Sequence, residues 1–171
     1  MKSKPPKVSF CQMTELVLPN DTNTLGNLMG GRLLHYMDIV SAISASRHAN
    51  RVVVTVSVDA VDFRSPVKLG EILILEAKVT RAFSTSMEVK IRVYAENMQS
   101  GERRESNTAY YTFVAVDQIG KPIPVYPVTP ETEEEWHDYE RAEARREFRL
   151  VQAGRLSPSE AKHVHLTVPE R

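Results

Sequence analysis

Residues 32–48 contain neither proline nor glycine and are rich in leucine, isoleucine, methionine and alanine. Such a stretch reads as a helix of about five turns. On a helical wheel Leu33, Tyr36, Met37, Ile39, Val40 and Ile43 form a broad apolar arc. Leu34, Asp38, Ser41, Ala42 and Ala45 lie on the neighbouring face. An apolar arc that wide must be buried on most sides, which a helix lying on a surface is not. The small residues of the second face leave room for another backbone or a ligand.

The segments that follow supply the cover. Residues 51–63 (RVVVTVSVDAVDF) alternate in strand fashion, with Val52, Val54, Val56 and Val58 set against Val53, Thr55 and Ser57. Residues 72–83, 87–98 and 105–116 read as three more long strands, separated by polar breaks at 84–86 and 99–102. Residues 8–18 supply a first strand ahead of the helix. A strand, a buried helix and four strands joined by short turns predict an α+β fold, an antiparallel sheet wrapped around one long helix.

Beyond a proline-rich stretch at 122–130, Thr132 and Glu135 have capping-box spacing, with acidic residues after the cap and arginines further on. A second helix is expected there. The expected division is a domain over residues 1–128, followed by a C-terminal helix and tail over 129–171 that is not an independent domain.

Formal net charge is zero, so bulk charge gives no attraction for nucleic acid or an anionic membrane. Cys11 is the only cysteine, which rules out an intramolecular disulfide. Gln12, Thr14 and Glu15 interrupt any apolar run near the N-terminus. Neither a signal peptide nor a membrane span is read, and the expected location is the cytoplasm. No HExxH, CxxC, GxSxG or phosphate-loop pattern is present, so no metal site, serine elbow or nucleotide fingerprint is expected.

Asp38 stands out. A carboxylate within an apolar helix is costly unless it is hydrogen-bonded or used in chemistry, and both readings stay open. Asn23 and Asn27 lie in the turn before the helix. Asparagine is common in turns and at N-caps, and its amide can also hold a carbonyl or a water. Gly30 and Gly31 at the helix start allow close approach, and free N–H groups there suit a developing oxyanion. His35, close to Asp38 on the helix, is a further conceivable partner for it.

The string Pro19-Asn20-Asp21-Thr22-Asn23-Thr24-Leu25-Gly26-Asn27-Leu28-Met29-Gly30-Gly31, followed by Met37-Asp38, resembles the acyl-CoA hydrolase branch of the hot-dog thioesterases, which includes cytosolic brain-type enzymes and single-domain bacterial ones. Residues 61–66 with Gly70-Glu71, and then 84–89, agree with it. The resemblance covers roughly residues 8–139 and implies a hot-dog fold with a homo-oligomer built from dimers, often a hexamer. It implies an acyl-CoA thioesterase, with Asn23, Asp38 and Gly31 as catalytic positions and Asn23 and Asp38 supplied by opposite subunits. It also implies substrate contacts at Asn27, Gly30, Arg64, Thr85 and Ser86, with the backbone at Thr85 and Ser86 holding the pantetheine arm. Arg81 and Arg103, with Arg64, are candidate contacts for the nucleotide phosphates. No cofactor is implied beyond the coenzyme A of the substrate.

The resemblance leaves Asp38 as general base or as nucleophile. A non-catalytic acyl-CoA sensor is the alternative, and a carboxylate paired with an amide argues against it. A hot-dog dehydratase would want a catalytic histidine with an acidic partner, a motif that His35 and His48 do not match. A purely structural oligomer would carry Asp38 at a needless cost.

Overall fold

The chain's computed structural model describes residues 2–63 and 65–164. It comprises two units, Met1–Thr129 and Pro130–Arg171. Arg64 and residues 165–171 of the expected tail lie outside the described residues.

In the first unit, β1 (Cys11–Leu16) precedes helix α1 (Gly30–Ala49), and β2 (Val52–Val58), β3 (Ile72–Ala82), β4 (Ser86–Glu96) and β5 (Arg103–Val116) follow. The five strands form one antiparallel sheet in the order β1-β3-β4-β5-β2. Helix α1 packs against strands all the way across it. This is the hot-dog architecture.

The core forms where the inward side chains of β3, β4 and β5 meet α1. Leu73, Leu75, Ala77 and Val79 on β3 face in, as do Met87, Val89, Ile91 and Val93 on β4. On β5, Ala109, Tyr111, Phe113 and Ala115 continue the layer, and Tyr111 stacks against Phe113. The period-two pattern in these strands is therefore a record of which face is dry.

Three departures from the sequence expectation have physical causes. First, residues 8–18 do not form a single strand. Pro6–Ser9 is a 3-10 turn, held by the Ser9 hydroxyl donating to Pro6 O, and the strand starts at Cys11. Second, β2 is not hairpin-paired with β3. It crosses the sheet to pair with β5 and forms an edge. Third, the β2 register shifts between Thr55 and Ser57, leaving Val56 as an extra residue. Thr55 lies opposite Phe113 and Val58 opposite Tyr111, so both are on the α1 side of the sheet, though exposed at its edge, and the simple alternation fails at the bulge.

Helix α1 runs two residues longer than expected at its N-terminus and buries Leu33, Met37, Val40, Ser41, Ser44, Ala45 and His48. Of the expected apolar arc Leu33, Met37 and Val40 are buried and Ile43 is exposed; of the small-residue side Ser41 and Ala45 are buried, while Leu34, Asp38 and Ala42 are half-buried. At its far end Asn50 takes the left-handed conformation that closes many helices. Lys4 Nζ donates to His48 O and to Asn50 Oδ1, both at 2.6 Å, a cation placed where the helix dipole is negative.

In the second unit, α2 (Glu133–Gln152) starts after the expected cap residue, Thr132. Thr132 Oγ1 accepts from Glu135 N at 3.2 Å, and the Glu135 carboxylate accepts from Glu131 N at 2.9 Å. No helix among the described residues is long and apolar enough to cross a membrane.

Candidate active site

The turn before α1 is built from its own polar side chains. Asp21 is buried; its carboxylate accepts from Arg32 Nε at 2.8 Å and from Leu18 N at 3.3 Å. Its carbonyl accepts from Met29 N. The turn is thereby clamped to the first turn of the helix. Asn23 closes the loop from within, its Oδ1 accepting from Leu25 N at 2.9 Å and Asn27 N at 3.2 Å. With that oxygen engaged, the amide can present only its NH₂, which has no partner among the described residues. The residue is thus a turn former and a fixed donor at once.

Helix α1 opens without a side-chain cap. Its first N–H groups have no intrahelical acceptors and concentrate the positive end of the dipole. Neither Gly30 nor Gly31 has a positive φ, so the backbone does not demand glycine there. Space within one chain does not demand it either. A Cβ on Gly31 would meet nothing within 4 Å, and one on Gly30 would meet the Phe63 ring at 3.4 Å.

A cleft of about 280 Å³ lies beside this helix start. Asn23, Asn27 and Gly30 line it, so three of the expected site residues converge. Leu28, Leu33, Phe63 and Val67 supply apolar wall, and Ser65, Ser106 and Asn107 supply polar wall.

Asp38 is not on that cleft. It is half-buried and accepts a hydrogen bond from Thr55 Oγ1 at 2.8 Å. From Gly31 to Asp38 the helix advances about 10 Å at 1.5 Å per residue. The inward-facing Tyr111 is fully buried near this carboxylate. Burial, with the Asp38 charge adding to it, pushes the Tyr111 phenol up to about 12, so it stays protonated. His35 does not pair with Asp38; it is exposed, with its ring beside Tyr36.

Ser86 lies opposite Val114 and Thr55 opposite Phe113, which puts the 83–86 turn on the same stretch of β5 as the carboxylate. Thr85 O and Ser84 O accept from Ala115 N and Val125 N, both at 3.1 Å. Asn107, on the cleft, is seven residues along β5 from Val114, about 23 Å at strand rise. One chain therefore carries two separate groups. One holds Asn23, Asn27, Gly30 and Gly31, the other Asp38, Thr55, Thr85 and Ser86. Arg81 lies over the Phe83 ring, and Arg103 pairs with Glu96 and Glu76. Neither lines the cleft, and Arg64 lies outside the described residues. No group of three His, Cys, Asp or Glu among the described residues could hold a metal ion.

Sequence reasoning missed Thr55, Phe63, Ser106 and Asn107. Thr55 had no signal that set it apart, since Ser57 is a second hydroxyl in the same run of valines. Ser106 and Asn107 likewise had none, because only the folded backbone shows what they hold.

Residues 25–102 match the family model of the thioesterase superfamily. The uncharacterized acyl-CoA thioester hydrolase YkhA of Bacillus subtilis is 44% identical over 135 residues, covering 76% of this chain and 78% of that one. A crystal structure of an apo-hexameric acyl-CoA thioesterase superposes with a TM-score of 0.87 at 48% identity, covering 90% of this chain and 98% of that one. An acyl-CoA hydrolase from Staphylococcus aureus, solved with butyryl coenzyme A, coenzyme A and coenzyme A disulfide, superposes at 0.82 with 36% identity, covering 89% and 94%. The same staphylococcal enzyme has been solved as single aspartate, asparagine and threonine variants to alanine. By sequence and by fold, the chain belongs to the acyl-CoA thioester hydrolases of the thioesterase superfamily.

Proposed function

We propose that this protein hydrolyses acyl-CoA to a free carboxylic acid and coenzyme A, in a site that two copies of the chain complete. The observation that carries the reading is the separation within one chain. The donor group at the start of α1 and the carboxylate at Asp38 are too far apart to act on one carbonyl, yet each is built with fixed partners.

The open edge of β2 supports a second copy. Among the described residues it pairs only with β5, and Val52 is 67% exposed, with Val54, Val56 and Val58 also exposed. A long apolar edge left bare is a liability that folds normally cover. Antiparallel pairing of two β2 edges is a two-fold, self-complementary contact. It reverses the neighbouring helix and brings Asp38 of the partner subunit towards the first turn of α1. The staphylococcal variants add support. The asparagine, aspartate and threonine replaced there are spaced 15 and 17 residues apart, the spacing of Asn23, Asp38 and Thr55 here.

In this reading the thioester carbonyl lies at the helix start. Gly31 and neighbouring N–H groups, with the Asn23 amide, donate to its oxygen and stabilise the negative charge that develops there. Asp38 of the partner subunit takes a proton from water as the water attacks the carbonyl carbon. Alternatively its carboxylate attacks first and water opens the resulting anhydride. The C–S bond breaks with the electron pair leaving on sulfur, and the thiolate is then protonated. Thr55 holds the carboxylate and Tyr111 closes the core behind it. Asn27 and Gly30 border the substrate, and the 83–86 turn borders the pantetheine arm.

The test is thiol release from acyl-CoAs of two to sixteen carbons by wild type and Asp38→Ala, with the oligomer checked by light scattering. Turnover by wild type, lost in the variant with its assembly intact, is expected. Tight acyl-CoA binding without turnover of any chain length would make the protein a sensor.

A further inference from the structure

We propose that Phe63 is a specificity-determining residue, the wall against which the acyl group packs, and that Asn107 is a positioning residue that holds it there; this rests on the thioesterase reading. Phe63 follows β2 in the irregular segment that leads to β3. Its ring tip lies 3.4 to 3.7 Å from where a Cβ of Gly30 would be, so the ring rests on the helix start. Any larger residue than glycine at position 30 would bring side-chain atoms onto it. The ring is nevertheless 53% exposed, and with Leu28, Leu33 and Val67 it lines the apolar part of the cleft. A half-open aromatic next to the donors that hold a carbonyl suits the apolar group attached to that carbonyl.

The segment is not left to find its own place. Asn107 donates from Nδ2 to Asp62 O, the carbonyl directly before Phe63. Ser106 Oγ lies 2.6 Å from Ser65 O and 2.7 Å from Asn107 Oδ1, so one hydroxyl proton serves both acceptors. Arg104 Nη2 donates to Pro66 O at 2.8 Å and to the Glu71 carboxylate at 2.8 Å. Three side chains at the start of β5 therefore fix the backbone on both sides of Phe63.

The arrangement has a cost that simple packing does not explain. Asn107 lies opposite Val93, on the face that Ala109, Tyr111 and Phe113 use for the core, and is 5% exposed. An amide there is unfavourable unless its groups are bonded. β5 also carries an extra residue at Ser106, because Val93 pairs with Asn107 and Tyr94 with Glu105. That bulge lets two successive polar side chains, both buried, reach the same segment. The strand gives up regular pairing and an apolar core position to hold the backbone around one exposed aromatic ring.

The test uses full-length protein and butyryl-, octanoyl- and palmitoyl-CoA. In Phe63→Ala the ratio of kcat/KM between octanoyl- and butyryl-CoA should change by about tenfold or more, mostly through KM. Phe63→Leu should retain much of the wild-type order. Asn107→Ala should move the same ratio in the same direction. The double variant should be no further from wild type than Phe63→Ala, because Asn107 acts through the ring. Since Asn107→Ala could misfold, thermal melting and the exposed Phe63→Ala stand as controls. An active wild type whose chain-length profile is unchanged in Phe63→Ala overturns this inference alone. Additive effects in the double variant overturn the role of Asn107. A wild type inactive on every acyl-CoA overturns the inference together with the thioesterase reading.

Discussion

Thr55→Val removes one hydrogen bond and almost nothing else. Thr55 Oγ1 donates to Asp38 Oδ1 at 2.8 Å, and valine has nearly the same shape and favours strands. A hydrogen bond to a charged acceptor contributes about 1.5–3 kcal/mol when well shielded. In the single chain Thr55 is exposed and Asp38 is half-buried, so the lower end applies. About 1.4 kcal/mol corresponds to a tenfold change in rate. The expected result is therefore a roughly tenfold fall in kcat. KM should hold, because the lost contact orients the reacting group and does not touch bound substrate. Thr55→Ser keeps the hydroxyl and should recover most of the rate. The assay is thiol release at saturating acyl-CoA, with melting temperatures measured in parallel. A Thr55→Val enzyme with wild-type kcat, or one that loses activity only by unfolding, would refute the role given to this contact.

Two further outcomes follow from the same geometry. Val56→Asp puts a charge on the exposed β2 edge at the bulge and should split the oligomer and abolish turnover while leaving the monomer folded, as sedimentation, circular dichroism and thiol release would show together. His48 is fully buried, with Nε2 2.7 Å from Tyr126 O and no partner on Nδ1 among the described residues. Desolvation holds its pKa below the ordinary value and Lys4 pushes the same way, against the opposing Tyr126 hydrogen bond. Because the unfolded chain takes up the proton first, stability should be complete above about pH 6.5 and fall as the pH drops below it. Melting temperatures from pH 7.5 to 5 should show that fall in wild type and a shallower one in His48→Gln.

Much of the architecture was readable because one face of β3, β4 and β5 is apolar along most of each strand. They are covered inside by α1, so apolar residues recur every second position. The edge strand was harder. β2 pairs with β5, whose residues lie more than fifty positions away, and no local pattern encodes that choice. Its bulge at Val56 hides in a run of valines that looks regular. The face of α1 was readable in part: Leu33, Met37 and Val40 are buried as expected, but Tyr36, Ile39 and Ile43 are as apolar and are not. Of the site, Asn23, Asn27 and Gly30 were legible as turn and helix-start residues, while the cleft they share was not. Asp38 was legible as a carboxylate in the wrong company. Thr55 and Asn107 were not, since their partners, Asp38 and Asp62 O, are brought to them only by the sheet.

The most direct test of a site shared between copies is to mix two inactive variants. Asn23→Ala and Asp38→Ala would be purified, combined, dissociated and reassembled, and thiol release compared with each alone. In a two-fold dimer each mixed pair regains one intact site and loses the other altogether, so random reassembly should restore about a quarter of wild-type activity. Reassembled mixtures that contain hybrid oligomers yet stay as inactive as the separate variants would contradict the shared site.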